Sequence, residues 1–172
     1  MGILNGNPKD EPMHYGEIFS VWQASMMARG AVSRYQAFLN HAGDKDLKKI
    51  LGALIDQAEL EMKECDTLLT ANGIAPAPVL PKRPEAKLED IPAGARFTDP
   101  EIAAQIAVDT SAALVACSQV MGQSIRVDIG ALFGKYHVTK AALGVRILEV
   151  SKEKGWIVPP PLQIKRPELV KA

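Results

Sequence analysis

Charge of one sign, sulfur, imidazole and long apolar runs are all scarce in this chain, and each scarcity removes a class of function. Twenty Lys and Arg balance 20 Asp and Glu. With no long run of either sign, the electrostatic footprint of a nucleic-acid binder or a polybasic membrane-surface segment is missing. No uninterrupted apolar run reaches the roughly 18 residues of a membrane-crossing helix. The first ten residues hold no apolar core of signal-peptide length. These features predict a soluble protein of cytoplasmic synthesis, with neither nucleic acid nor membrane as partner. The two cysteines, Cys65 and Cys117, each sit inside a helical pattern without zinc or CxxC spacing, so they read as buried thiols packing like small hydrophobes. Three histidines are too few and too scattered for a Cys/His zinc site. A glycine-rich phosphate loop, a GxSxG elbow and an HExxH helix are absent. No catalytic residue is assigned, and the chain reads as a non-enzyme.

What is present is a helical pattern interrupted once. In 172 residues that are 47% apolar there is material for one substantial core, so the chain is taken as a single domain over residues 1–172. A proline-rich stretch over residues 74–98 divides it into two helical hairpins. Roughly 25 extended residues reach about 80 Å, twice the length of the helices they join. The second and third helices can therefore run parallel. The fold class this predicts is all-α, a ferritin-like antiparallel four-helix bundle with one long crossover between helices 2 and 3.

Local signals place the helices over about 13–41, 44–72, 99–124 and 127–154. Pro12 suits the first turn of the first helix and Gly43 lies just past its end. Asp44 caps the second, and Asn72-Gly73 ends it. Thr98-Asp-Pro-Glu101 has the spacing of a capping box. The apolar pattern beyond it is too long for one helix, which puts a turn between about Gln123 and Asp128. Gly155 stops the fourth helix. The tail over 155–172 is expected to be extended, with the apolar residues of Trp156-Ile-Val-Pro-Pro-Pro-Leu162 packed on the bundle.

Projecting each helix at 100° per residue puts three charged residues on apolar stripes: Glu61 on the second helix, Asp109 on the third and Lys140 on the fourth. A charge costs several kcal/mol to bury alone, so interior charges must pair or reach solvent. One reading makes Glu61 and Asp109 the remains of a dinuclear iron or manganese site, with His137 as nitrogen ligand. The Glu-x-x-His pairs such a bundle uses are missing, and the Lys140 ammonium competes for the same carboxylates. The sequence therefore favours an ion-paired interior without cofactor or metal, Lys140 neutralising either Glu61 or Asp109. A third reading places a small molecule around Trp22, Phe133 and Tyr136. His14, at the start of the first helix, reads as hydrogen-bonded there. The first helix is apolar nearly all round: besides its inward stripe it shows Phe19, Met26, Gly30, Ser33 and Ala37 on a second face, so it must be covered on more than one side. The cover is the crossover or the tail, or a second copy of the chain meeting that face in a homo-oligomer.

Five segments carry a resemblance: Asn7-Pro-Lys-Asp-Glu-Pro-Met-His-Tyr-Gly-Glu17, His41-Ala-Gly-Asp-Lys-Asp-Leu47, Pro92-Ala-Gly-Ala-Arg-Phe-Thr-Asp-Pro-Glu-Ile102, Cys117-Ser-Gln-Val-Met-Gly-Gln-Ser-Ile-Arg126 and Glu153-Lys-Gly-Trp-Ile-Val-Pro-Pro-Pro161. Across nearly its whole length the chain resembles an uncharacterised ferritin-like family of spore-forming bacteria labelled as spore coat proteins, and more distantly the Coat F group. The resemblance implies a four-helix fold, a structural or assembly role in sporulation and other spore proteins as partners. It carries over no catalytic residue.

Overall fold

Four long helices account for most of the chain: α1 (Tyr15–His41), α2 (Lys45–Ala71), α3 (Asp99–Gln123) and α4 (Val127–Glu153). The computed structural model describes residues 6, 7 and 10–163. The chain beginning and the far part of the expected 155–172 tail lie outside these. Helix α1 packs along α2 and α3 along α4, while α2 also meets α4 and α1 meets α3. The order around the bundle is thus α1, α2, α4, α3, with α2 and α3 on a diagonal. They run parallel, because the end of α2, the end of α3 and the start of α4 are hydrogen-bonded into one cluster.

Helices α1, α2 and α3 begin where a side chain can take the amides that the first turn leaves free. For α1 the cap is His14, not the turn containing Pro12, which lies outside the helix. Its Nδ1 accepts from Gly16 N at 3.0 Å and Glu17 N at 3.4 Å. An accepting Nδ1 requires the proton on Nε2, which donates to the Gln123 carbonyl at 3.3 Å. A side chain at Gly16 would collide with the capping ring, 2.7 Å from Cε1. Asp44 caps α2 through Asp46 N and Leu47 N, and Glu101 accepts from both Thr98 N and Thr98 Oγ1 at the start of α3. Asn72 ends α2, followed by Gly73 at φ +75°, the left-handed conformation that costs glycine least.

Polar contacts lock both ends of the bundle. At one, Glu17 is 1% exposed and accepts from His14 N, Ile125 N and Arg126 N at 3.1, 2.9 and 2.9 Å. Arg126, also buried, reaches the Glu11 carbonyl, Asn72 Oδ1 and both oxygens of Asp128. One guanidinium so ties the leader, the end of α2 and the start of α4. At the other end, Asp99 accepts from Gly43 N at 2.8 Å and Asp44 N at 3.0 Å. Phe97 packs edge-on against Phe38 and His41.

The crossover is tied down rather than free. Its residues 79–82 lie over the groove between α1 and α2, Arg83 bonds to Gln36 Oε1 and the Ser33 carbonyl, and Asn40 donates to the Pro84 carbonyl. It also contains two short 3-10 turns, Leu88–Asp90 and Ala93–Ala95, so it is less extended than its prolines suggest. The expectation for the tail needs correction: Trp156 packs on the core, but Ile157, Val158 and Leu162 are exposed. The Trp156 amide returns to the Ser151 carbonyl, which turns only that side chain inward before the prolines carry the chain away.

Removing the Glu17 acceptor strands three backbone donors at a buried junction, and each such group costs about 1 kcal/mol or more. Glu17→Ala should lower the unfolding free energy by about 3 kcal/mol in urea titration, and Glu17→Gln, which keeps one carbonyl acceptor, by about half of that.

Candidate functional site

The middle of the bundle holds a cavity of about 170 Å3. Seven alanines line it: Ala24, Ala28 and Ala31 of α1 and Ala112, Ala113 and Ala116 of α3, with Ala58 of α2. Alanine is an excellent helix former and counts as apolar in any projection, but it leaves space where a leucine would fill it. Phe133, Leu54 and Leu143 complete the apolar wall. Because the lining residues Met27, Ala112 and Ala116 are exposed, the cavity opens between α1 and α3. A sealed apolar void of this size would cost about 4 kcal/mol at roughly 24 cal/mol per Å3; the mouth and the polar groups inside allow water in.

Those polar groups are the ones the helical projections single out. Glu61 is buried, and Lys140 Nζ grips both of its oxygens at 2.6 and 2.9 Å. Gln57 Nε2 adds a bond to Oε1 at 2.8 Å. Asp109 accepts from Gln105 Nε2 at 2.9 Å and pairs with Arg34 Nη2 at 3.0 Å. Lys140 therefore serves Glu61, and Arg34 serves Asp109. Both ion pairs bridge the hairpins: Lys140 of α4 to Glu61 of α2, and Arg34 of α1 to Asp109 of α3. Arginine's partnership was hidden in the sequence because Arg34 sits at the edge of the α1 stripe and is 46% exposed, while its guanidinium reaches Asp109 in the cavity wall.

The two carboxylates share the cavity wall, whereas His137 does not line it. Among the described residues no group of three or more His, Cys, Asp or Glu side chains comes together to hold a metal ion. Phe133 and Tyr136 also line the cavity, stacked edge to face at 5.5 Å. Trp22 packs in the adjoining core cluster instead. Burial, with the nearby Asp109 charge, pushes the Tyr35 phenol up to about 12. Burial pushes Tyr136 well above its ordinary value. The thiols follow: burial raises Cys65 to about 12 and Cys117 to about 11.

Sequence reasoning passed over a second polar cluster. Ser25 Oγ, fully buried on α1, donates to Asp66 Oδ1 at 2.5 Å. Arg29, also buried, donates to Ser25 and to both oxygens of Asp66, at 3.2 and 2.6 Å for the latter. The cluster joins α1 to α2 within one hairpin. Ser25 and Arg29 are four residues apart and so share a face, which is the signal that could have found them. On the second face of α1, Phe19, Met26 and Gly30 are exposed, while Ser33 and Ala37 are half-buried, Ser33 beside the crossover's Arg83.

Deleting one partner of the central pair leaves a buried, uncompensated charge. Lys140→Met should destabilise by about 3–5 kcal/mol, and the double variant Glu61→Leu/Lys140→Met should recover most of that loss, as read from a double-mutant cycle in chemical denaturation. The raised thiols predict a second outcome: a thiolate-specific reagent at pH 8 should leave Cys65 and Cys117 unreacted in the native protein and modify both in denaturant.

Three comparisons bear on identity. A crystal structure of a "putative spore coat protein" from Bacillus halodurans C-125 superposes with a TM-score of 0.90 at 45% identity, covering 92% of this chain and 100% of that one. The uncharacterized protein YvdQ of Bacillus subtilis (strain 168) is 51% identical over 166 residues, 96% of this chain and 98% of that protein. The family model described as a protein of unknown function, DUF3231, matches residues 1–169, and the chain belongs to that family.

Proposed function

We propose that the protein is a non-enzymatic structural or assembly component of the spore coat that works as a homo-oligomer. The observation that carries this reading is uncovered apolar helix surface. On α1, Phe19, Met26 and Met27 are 60, 43 and 55% exposed. The stretch Ala93–Gln123, which contains α3, is apolar enough by length and composition to cross a membrane, yet only 28% of its most apolar window is buried against the rest of the chain; Val108 and Val115 on α3 stand 63 and 67% exposed. Paired charges at Asp109–Arg34 in the middle of α3 fit a bundle wall, so the cover we infer is protein.

The interior supports the same reading from the other side. Its carboxylates are already held by Lys140 and Arg34. Its thiols and phenols are pushed towards their neutral forms, the opposite of what nucleophilic chemistry asks. The spore-coat name of the Bacillus halodurans neighbour supports an association with the spore.

Gly30 gives the sharpest test. A Cβ there meets nothing within 4 Å, so Gly30→Leu fits the isolated chain and gains helix propensity of up to about 1 kcal/mol, while filling the space a close helix approach needs. Sedimentation velocity should show a concentration-dependent oligomer for the parent, shifted towards monomer in Gly30→Leu and in Phe19→Glu, with thermal stability kept. A fluorescent fusion should be recruited to the spore coat. A strict monomer at high concentration together with a diffuse fusion would sink the proposal.

A further inference from the structure

We propose that the central cavity is a binding site for a small, planar, uncharged aromatic molecule that carries an N–H or O–H donor, of the indole or phenol class. The site lies inside one bundle. Its mouth at Met27 and Ala112 opens on the same α1–α3 face that the proposed oligomer would cover, so indole binding is measured on the monomeric Phe19→Glu variant as well as on the parent.

Size sets the first limit. An apolar cavity of about 150 Å3 accommodates benzene, so about 170 Å3 suits one or two fused rings and is too small for most drug-sized ligands. Facing alanines on α1 and α3 give the space its flat walls, and the mouth between Met27 and Ala112 gives it an entrance. Phe133, Tyr136 and Tyr35 supply ring edges and faces within the lining, the contacts an aromatic guest exploits.

Charge sets the second. The four charged groups on the wall cancel in pairs, Glu61 with Lys140 at 2.6 Å and Asp109 with Arg34 at 3.0 Å. A charged guest would have to break one of these pairs or be buried without a counter-ion, and both are costly. A neutral guest disturbs neither.

Hydrogen bonding sets the third. An ionised carboxylate offers acceptors only, about four lone-pair sites in all. Asp109 spends one on Gln105, faces Arg34, and has the Tyr35 phenol as a further side-chain partner; its Oδ2 is buried without a well-formed hydrogen bond, which leaves acceptor capacity at the cavity wall for a guest that donates. Wet voids lined by paired charge are common in bundles as plain imperfections; what sets this one apart is that small residues line both facing helices while the acceptors lie beside them.

The test uses the full chain and indole as probe, followed by calorimetry and by amide chemical shifts. Saturable one-to-one binding is expected, with shifts confined to residues around the cavity. Benzofuran has nearly the same shape without the donor, and it should bind ~10-fold more weakly, the effect of one hydrogen bond. Benzoate should not compete. Ala113→Leu fills the space from α3 and should abolish indole binding while raising the thermal midpoint. Should that variant not fold, Ala28→Leu fills it from α1. The proposal is overturned by any of three results: no indole binding up to its solubility limit, undiminished binding in the folded filled variant, or benzoate binding more tightly than indole.

Discussion

Two hairpins joined by a crossover of some 25 residues need something other than the chain to set their register, and buried charge provides it. A short turn fixes the phase of the helices it connects; a long connection costs little more loop entropy but transmits almost no geometry. Here Glu17 takes the amides of Ile125 and Arg126, so the start of α1 is held against the α3–α4 turn. Arg126 extends the same junction to Asn72 at the end of α2. Because four helix ends meet there, the remaining packing follows: α2 against α4, α1 against α3, and the cavity where the alanines of the last two leave the space between them unfilled. Hydrophobic burial alone would not choose this arrangement, since apolar stripes tolerate sliding by a turn that point contacts forbid.

The mid-level ion pairs repeat the device. Lys140–Glu61 and Arg34–Asp109 each span the two hairpins, one on either side of the cavity, while Arg29–Asp66 stays within the first hairpin. Buried pairs of this sort add little net stability over well-packed apolar residues, because desolvation offsets most of the attraction. Their contribution is selectivity: a register shift would leave each charge facing alanine or leucine. The interior is thus specified by electrostatics where it is least specified by shape.

Much of this was legible in the sequence. Asp44, Thr98, Asn72-Gly73 and Gly155 mark helix ends through local chemistry, and local chemistry is present before folding. The turn at Ser124–Arg126 had no glycine to announce it, yet helix length alone placed it. Glu61, Asp109 and Lys140 stood out because a charge on an apolar stripe breaks a period. What stayed hidden depends on tertiary closure. Glu17 looks like any acidic residue in a first turn, and Arg126 like any basic residue in a loop, until four helix ends converge on them. His14 was legible as a hydrogen-bonded residue but not as the cap that displaces Pro12 from the helix. An interior site around Phe133 and Tyr136 was among the readings, but the alanine walls that open it were hidden for a plainer reason: in a hydrophobic projection alanine scores as filler, and only the facing helix reveals that nothing fills the gap.

That distinction bears on how the topology should be read. A one-crossover bundle converges four helices on a central level, and two metal ions are one way to satisfy the carboxylates found there. Cations from the neighbouring helices are another, and they differ in a physical consequence. A metal draws all its ligands to one point and closes the centre, whereas two separate ion pairs hold their carboxylates apart on opposite hairpins and leave the centre open. The alanines of α1 and α3 fit the second solution, since side chains that need not reach a metal can be small. An open, charge-balanced and acceptor-rich centre is then not a vestige to be explained away. It is the direct outcome of neutralising Glu61 and Asp109 one at a time, and its chemistry has to be read from the walls that remain.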